Sequence, residues 1–117
     1  MPSGGTPSTV ATGKLKQTGI IAANTAFVLP ANCLIDYVVI VNNTANAITG
    51  GLKFGTTSGA TDICVAIAVA GNALTFITDA LLLKRLFSTT ATQQVFIDAV
   101  AAWNSANVDI TIIYKQL

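Results

Sequence analysis

Five aspartates, Asp36, Asp62, Asp79, Asp98 and Asp109, are the only side-chain carboxylates in the chain, and no histidine stands beside them. Two carboxylates can run acid–base or glycosidic chemistry when one holds a proton and the other does not. Here each aspartate stands alone in its own segment, so a pair exists only if the fold makes one. The expected role of each is a solvated strand edge or a cap. Cys33 and Cys64 lie in apolar segments, without CxxC spacing or a histidine, which argues against a zinc site or a Cys–His nucleophile. They read as buried thiols that act as small hydrophobes. A disulfide within or between chains would need a geometry that spacing does not supply.

Trp103 and Tyr114 could offer flat apolar faces to a sugar, but an aromatic ring beside a turn more often anchors a core or an interface. The loop from Gly55 to Asp62, GTTSGATD, lacks the Gly-Lys-Ser/Thr of a phosphate cradle and reads as a surface loop open to partners. Asn42-Asn43-Thr44 matches a glycosylation sequon, with no secretory signal to give it meaning. Lys84 and Arg85 are adjacent charges that face solvent or pair across a subunit boundary. These residue types and spacings point to no catalytic, cofactor-binding or metal-ligating set, and the expectation is a protein that is not an enzyme.

The elements that hold these residues are β-like. Cys33–Asn42, CLIDYVVIVN, is a strand whose two faces, Cys33, Ile35, Tyr37, Val39, Val41 and Leu34, Asp36, Val38, Ile40, are both mostly apolar. That pattern predicts a central strand covered on each side. Shorter strands are expected at Thr18–Ala22, Ala26–Leu29, Ala47–Thr49 and Leu52–Gly55. Asp62–Ala70 and Ala73–Thr78, joined at Gly71-Asn72, read as a hairpin. Asp79–Phe87 reads as a short turn or helical loop that runs into a strand. Val95–Tyr114 carries the clearest signal: two strands, a polar turn at Asn104–Asn107, and Trp103 as the anchor of a closing hairpin. About eight short strands with turn signals between them predict an all-β, antiparallel β-sandwich of jelly-roll type.

Residues 1–14 hold two of the three prolines and three glycines, a composition that cannot offset its own ordering entropy. The domain reading is a flexible N-terminal arm at 1–16 and a β-sandwich domain at 17–117. Of the 117 residues, 52% are hydrophobic and 9% charged, against a usual charged share of about 25%. So little charge predicts that much of the surface is covered by other subunits. The net charge of +1 and the absence of a basic stripe argue against direct nucleic-acid binding. No apolar run approaches the roughly 20 residues of a membrane-spanning helix. No charged-then-apolar leader opens the chain, so the expected place of synthesis and assembly is the cytosol.

The stretches TAFVLPANCLIDYVVIVNNTANAITGGLKFGTT and FSTTATQQVFIDAVAAWNSANVDITIIYKQL resemble small β-sandwich modules of tailed-bacteriophage virion proteins. The likeness rests on Leu29-Pro30, the loop Asn42–Asn46, the step Gly50–Lys53 and the turn Ala102–Ser105. It is a pattern of strands and turns over about residues 17–117, with no active-site signature. The resemblance implies a structural protein of the particle, located in the virion: a head-decoration or auxiliary capsid protein, or a module of a fibre. It implies a homo-oligomer, a trimer in many such modules, with the major capsid protein or other virion proteins as partners and no cofactor. The residues themselves leave dimer and trimer open. No repeat, heptad or collagen-like segment is present, which favours a decoration protein over a fibre shaft. A receptor- or carbohydrate-binding module of a fibre is the alternative.

Overall fold

A computed structural model describes residues 11–117, and every regular element in them is a β-strand. The strands are β1 (Ala11–Ile20), β2 (Asn24–Leu29), β3 (Cys33–Asn42), β4 (Ile48–Gly55), β5 (Cys64–Val69), β6 (Leu74–Ile77), β7 (Gln93–Ala99) and β8 (Val108–Gln116). They form two four-stranded antiparallel sheets, in the orders β1-β8-β3-β6 and β2-β7-β4-β5. Strands 1 and 8, 2 and 7, and 3 and 6 pair outside the innermost pair, 4 and 5. A folded-over ribbon rolled in this way gives the jelly-roll order, as the strand count and turn spacing predicted.

Inward residues of the two sheets make one core. Ile35, Val38, Ile40, Ile110 and Ile112 from the first sheet meet Phe27, Leu29, Leu52, Phe54, Val95 and Ile97 from the second. Apart from a shift in β3 between Ile35 and Val38, each follows from the period of two along its strand, which sets alternate side chains on one face.

Four sequence expectations change. Ala11 is already paired, so residues 11–16 of the predicted arm belong to β1; residues 1–10 lie outside the described residues. β1 is legible only through its partner: Lys14, Lys16 and Thr12 alternate with Gly13 and Leu15, a weak apolar pattern that β8 stabilises along its length. Val95–Tyr114 is not a hairpin, because β7 and β8 lie in different sheets and the turn between them crosses from one to the other. The same holds for β5 and β6, which the Gly71-Asn72 turn also carries across the sandwich. Local turn chemistry fixes that the chain reverses. It does not fix whether the strands on each side pair or stack.

The fourth change concerns β3. Ile35 pairs with Tyr114 and Tyr37 with Ile113, so two residues of β3 stand opposite one step of β8. This bulge breaks the alternation. Cys33 and Ile35 point inward, then Val38, Ile40 and Asn42 do, while Asp36 and Tyr37 both stay on the outer side. The bulge is held from the side: the Ile35 N–H donates to the Arg85 carbonyl at 2.9 Å, and Arg85 Nε donates to the Ile35 carbonyl at 2.9 Å. Arg85 is therefore half-buried against the backbone, and Lys84 lies over the Phe87 ring at 5.3 Å.

Asp79–Phe87 contains no helix. Two successive turns, Leu81 N–H to Thr78 O and Leu82 N–H to Asp79 O, lead into a single bridge between Leu86 and Leu34. Leu82 and Phe87 are buried. The segment closes one end of the sandwich with its apolar residues.

Candidate assembly surface

The outer face of the first sheet is where apolar residues and charge meet in the open. Register places its residues in rows across the strands. One row runs Lys16, Thr111, Val39, Phe76; a second runs Lys14, Ile113, Tyr37; a third holds Asp109, Val41 and Leu74. Leu74 and Phe76 lie on β6, the edge strand, and are 53% and 52% exposed. An aliphatic and aromatic strip so placed is unusual on a free surface, and an uncovered edge strand carrying it is open to pairing with another chain. The apolar outer side of β3 was expected to be covered by a second layer. Among the described residues, no second layer covers it.

At the end of this strip is a shallow cleft of about 350 Å³ lined by Asp36, Tyr37, Phe76, Thr78 and Asp79. The Tyr37 and Phe76 rings meet at a tilt, with centroids 6.4 Å apart. The β3 bulge builds this cleft by keeping Asp36 and Tyr37 on the same side. Sequence reasoning placed Asp36 and Asp79 in separate segments, and the fold brings both to one wall. It missed Tyr37 and Phe76 as surface residues. The available signal was the apolar character of both β3 faces.

The remaining candidates have structural duties. Asp36 faces Lys115 at 3.7 Å, and Lys115 also donates to Thr12 Oγ at 2.9 Å. Asp109 accepts from the Gly19 N–H at 3.0 Å, where β1 shifts register, and Asp98 accepts from the Ala99 N–H at 2.8 Å. Trp103 and Tyr114 are half-buried and pack on the core. The Tyr114 ring covers Gly13 on the paired strand, in the space a side chain there would fill. The turn after Trp103 has positive φ at both Asn104 (53°) and Ser105 (59°), with Ala106 N–H donating to Trp103 O at 2.9 Å. That is the geometry of a type I′ turn. Asn104 Nδ2 ties this turn to the start of β4 through Ala47 O and Thr49 Oγ. Asn42, read as a sequon, is 2% exposed and its amide is fully engaged, by Thr44 and Asn46 of the β3–β4 loop and by Ala70 after β5.

The Gly55–Asp62 loop is clipped by its last residue. Asp62 accepts from the Thr56 N–H at 2.8 Å and from the Thr56 hydroxyl at 2.5 Å. These two donors hold its carboxyl below the usual carboxylate range. The ionised form is the one the fold favours, so this contribution is complete above the unfolded-state value of about 3.9 and is lost as pH falls through the lower folded value. An unfolding midpoint followed from pH 7 to below about pH 4 should drop less steeply in Asp62→Asn than in the parent chain.

Cys33 and Cys64 are free and buried, at 0% and 1% exposure, and burial pushes both thiols up from their ordinary value. A buried, protonated thiol is a poor nucleophile. A thiol reagent at pH 8 should label neither within minutes in the folded chain and both on unfolding in guanidinium; rapid native labelling would contradict the packing described. Among the described residues, no three of His, Cys, Asp or Glu converge as metal ligands, and no helix is long and apolar enough to cross a membrane.

No protein-family model matches the chain, and no curated protein matches it. Among solved structures it is similar to a chain in the capsid of Ralstonia phage GP4, with 13% identity and a TM-score of 0.59, covering 94% of this chain and 86% of that one. It is also similar to a chain in the acidic stable capsid structure of Helicobacter pylori bacteriophage KHP30, with 13% identity and a TM-score of 0.55, covering 92% and 88%. At these identities the likeness is one of fold. Nearly all of each chain takes part, so the matched chains are close to this one in size.

Proposed function

We propose that this protein is a non-enzymatic structural component of a phage particle, which decorates the capsid and stabilises it through contacts between β-sandwiches and through its N-terminal arm. The observation that carries the reading is the fold shared, over nearly the whole chain, with chains of similar size in two phage capsids. Matching chains of that size favour an added small subunit over one domain of a large shell protein. The low charge and the uncovered apolar strip on the first sheet support a life in contact with other subunits. The arm reading rests on the composition of residues 1–10, which lead into the edge strand β1.

Quantitative mass spectrometry of purified particles tests the role. Hundreds of copies per particle, located on the head, are expected; a handful of copies at the tail would overturn decoration. Removing residues 1–10 should weaken binding to shells stripped of this protein while leaving the domain folded. Equal binding by the shortened chain would remove the arm from the proposal.

One observation favours the alternative, a receptor- or carbohydrate-binding module. The cleft of Tyr37, Phe76, Asp36 and Asp79 combines aromatic faces with hydrogen-bond acceptors, the means by which sugars are held. Saturable binding on a glycan array, abolished by Phe76→Ala in a folded chain, would support that reading. Trp103 packs on the core, so Phe76 rather than Trp103 is the aromatic to substitute.

A further inference from the structure

The two edges of the first sheet are chemically opposite. On β1, Lys14 and Lys16 are exposed on the outer face, alternating with half-buried Leu15. On β6, Leu74 and Phe76 are exposed, and Asp79 follows two residues after the strand, beside the cleft it shares with Asp36. Sheet edges are commonly guarded by lysine, which is costly to desolvate against another strand. β1 has that guard, which only a partner supplying opposite charge can accommodate, and β6 does not.

Register also sets the two edges at matching heights. The row that begins at Lys16 ends at Phe76, and the row that begins at Lys14 reaches Tyr37 in the cleft. Every neighbouring pair in this sheet is antiparallel, so β1 and β6 run in opposite directions. A second copy whose β1 approached β6 would arrive antiparallel, the orientation in which two edges pair most readily. Its lysines would then lie along the aromatic and acidic side of the first copy. Two aromatic rings beside the Asp79 carboxylate, with Asp36 already facing Lys115 of its own chain, suit an ammonium group, through ring-face attraction and charge.

We infer that the β6 edge, with its Tyr37–Phe76–Asp36–Asp79 cleft, receives the Lys14–Lys16 edge of a second copy of this chain, in a head-to-tail contact. Such a contact uses two different patches on each copy, so repetition gives a ring when the rotation closes. It covers Leu74 and Phe76, which are otherwise half exposed to water. The inference gives residues to the self-contacts proposed above. It is tested on the free protein, so its failure leaves attachment to a shell untouched, and failed attachment leaves it untouched in turn.

The test is sedimentation equilibrium of the full chain and of four variants, at low and high salt. All substituted side chains are exposed, and circular dichroism confirms that each variant folds. The parent chain should self-associate, more weakly as salt is raised. Lys14→Asp and Asp79→Lys should each weaken association about tenfold or more, and the two together should restore most of it, as close charge pairs across an interface do. Phe76→Ser should also weaken it. A parent chain that stays monomeric at about 100 μM, a concentration well above the Kd of a specific contact, overturns the inference. So do single variants that associate like the parent, or a double variant no better than the singles.

Discussion

Gly51→Ala is expected to lower stability by about 3 kcal/mol or more, because two independent costs fall on one methyl group. Gly51 sits in β4 with φ at +82°, where a side chain is strained whatever the space around it. The space is also absent: a Cβ would stand 2.2 Å from the Ile67 carbonyl oxygen of β5. That contact is with backbone, so no rotamer change relieves it. The strand must either flatten its bulge or move off β5. Either response disturbs Leu52, which is fully buried and pairs with Ile67, and the Gly51 carbonyl that accepts the Val100 N–H at 3.0 Å. Against a typical total stability of about 5–15 kcal/mol, this loss is severe. Urea unfolding of the two proteins measures it through the midpoint at constant m. A change below about 1 kcal/mol would mean that β4 and β5 do not approach as described.

Asn42→Asp should cost about 3–5 kcal/mol at neutral pH, although it changes a single NH₂ into oxygen. Asn42 is 2% exposed at the end of β3. Its Nδ2 donates to Asn46 O at 2.7 Å and to Ala70 O at 3.2 Å, and its Oδ1 accepts from the Thr44 N–H at 3.0 Å and the Thr44 hydroxyl at 2.8 Å. One side chain thus ties the β3–β4 loop to the turn after β5. A carboxylate keeps the Thr44 contacts but turns an acceptor toward two carbonyl oxygens, in a place where water cannot screen it. The charged form is the penalised one, so the new carboxyl would titrate higher in the folded chain than the unfolded value of about 3.9. The destabilisation should therefore grow as pH rises above about 4 and fade as pH falls below it. The residue present, an amide, has no such dependence. Thermal melts of both proteins at pH 4 and pH 7 decide the point. A variant equally stable at both values would show that the site is wet.

These two positions show where sequence reading succeeds and stops. In the sequence the Gly50-Gly51 pair falls between the expected strands Ala47–Thr49 and Leu52–Gly55. In the structure both glycines lie inside one strand, and the register shift between Ile48 and Leu52 lets it continue. Asn42 was visible as a loop residue and a sequon. Its burial depends on Ala70, 28 positions away, which no local pattern can indicate. The candidate surface was half legible. The excess of apolar over charged residues predicted that something outside the chain covers it. Which face that is depended on a bulge at Asp36-Tyr37, and the residue that braces the bulge, Arg85, is 50 positions from its Ile35 partner.

The strands Cys33–Asn42 and Val108–Gln116, the turns at Asn32, Asn72 and Asn104, and the all-β class follow from local causes. Alternation selects a pleated strand, and asparagine tolerates positive φ where the chain reverses. What the tertiary structure alone decided was pairing. Val95–Tyr114 supplies two good strands and a tight turn, yet β7 and β8 belong to opposite sheets because each finds a better partner far away in sequence. Strand pairing depends on the fit of whole faces and on loop closure, and neither is a property of neighbouring residues. The same non-local choice set Lys16 and Phe76 on one row at opposite edges of a sheet, and the proposed contact between copies depends on that row.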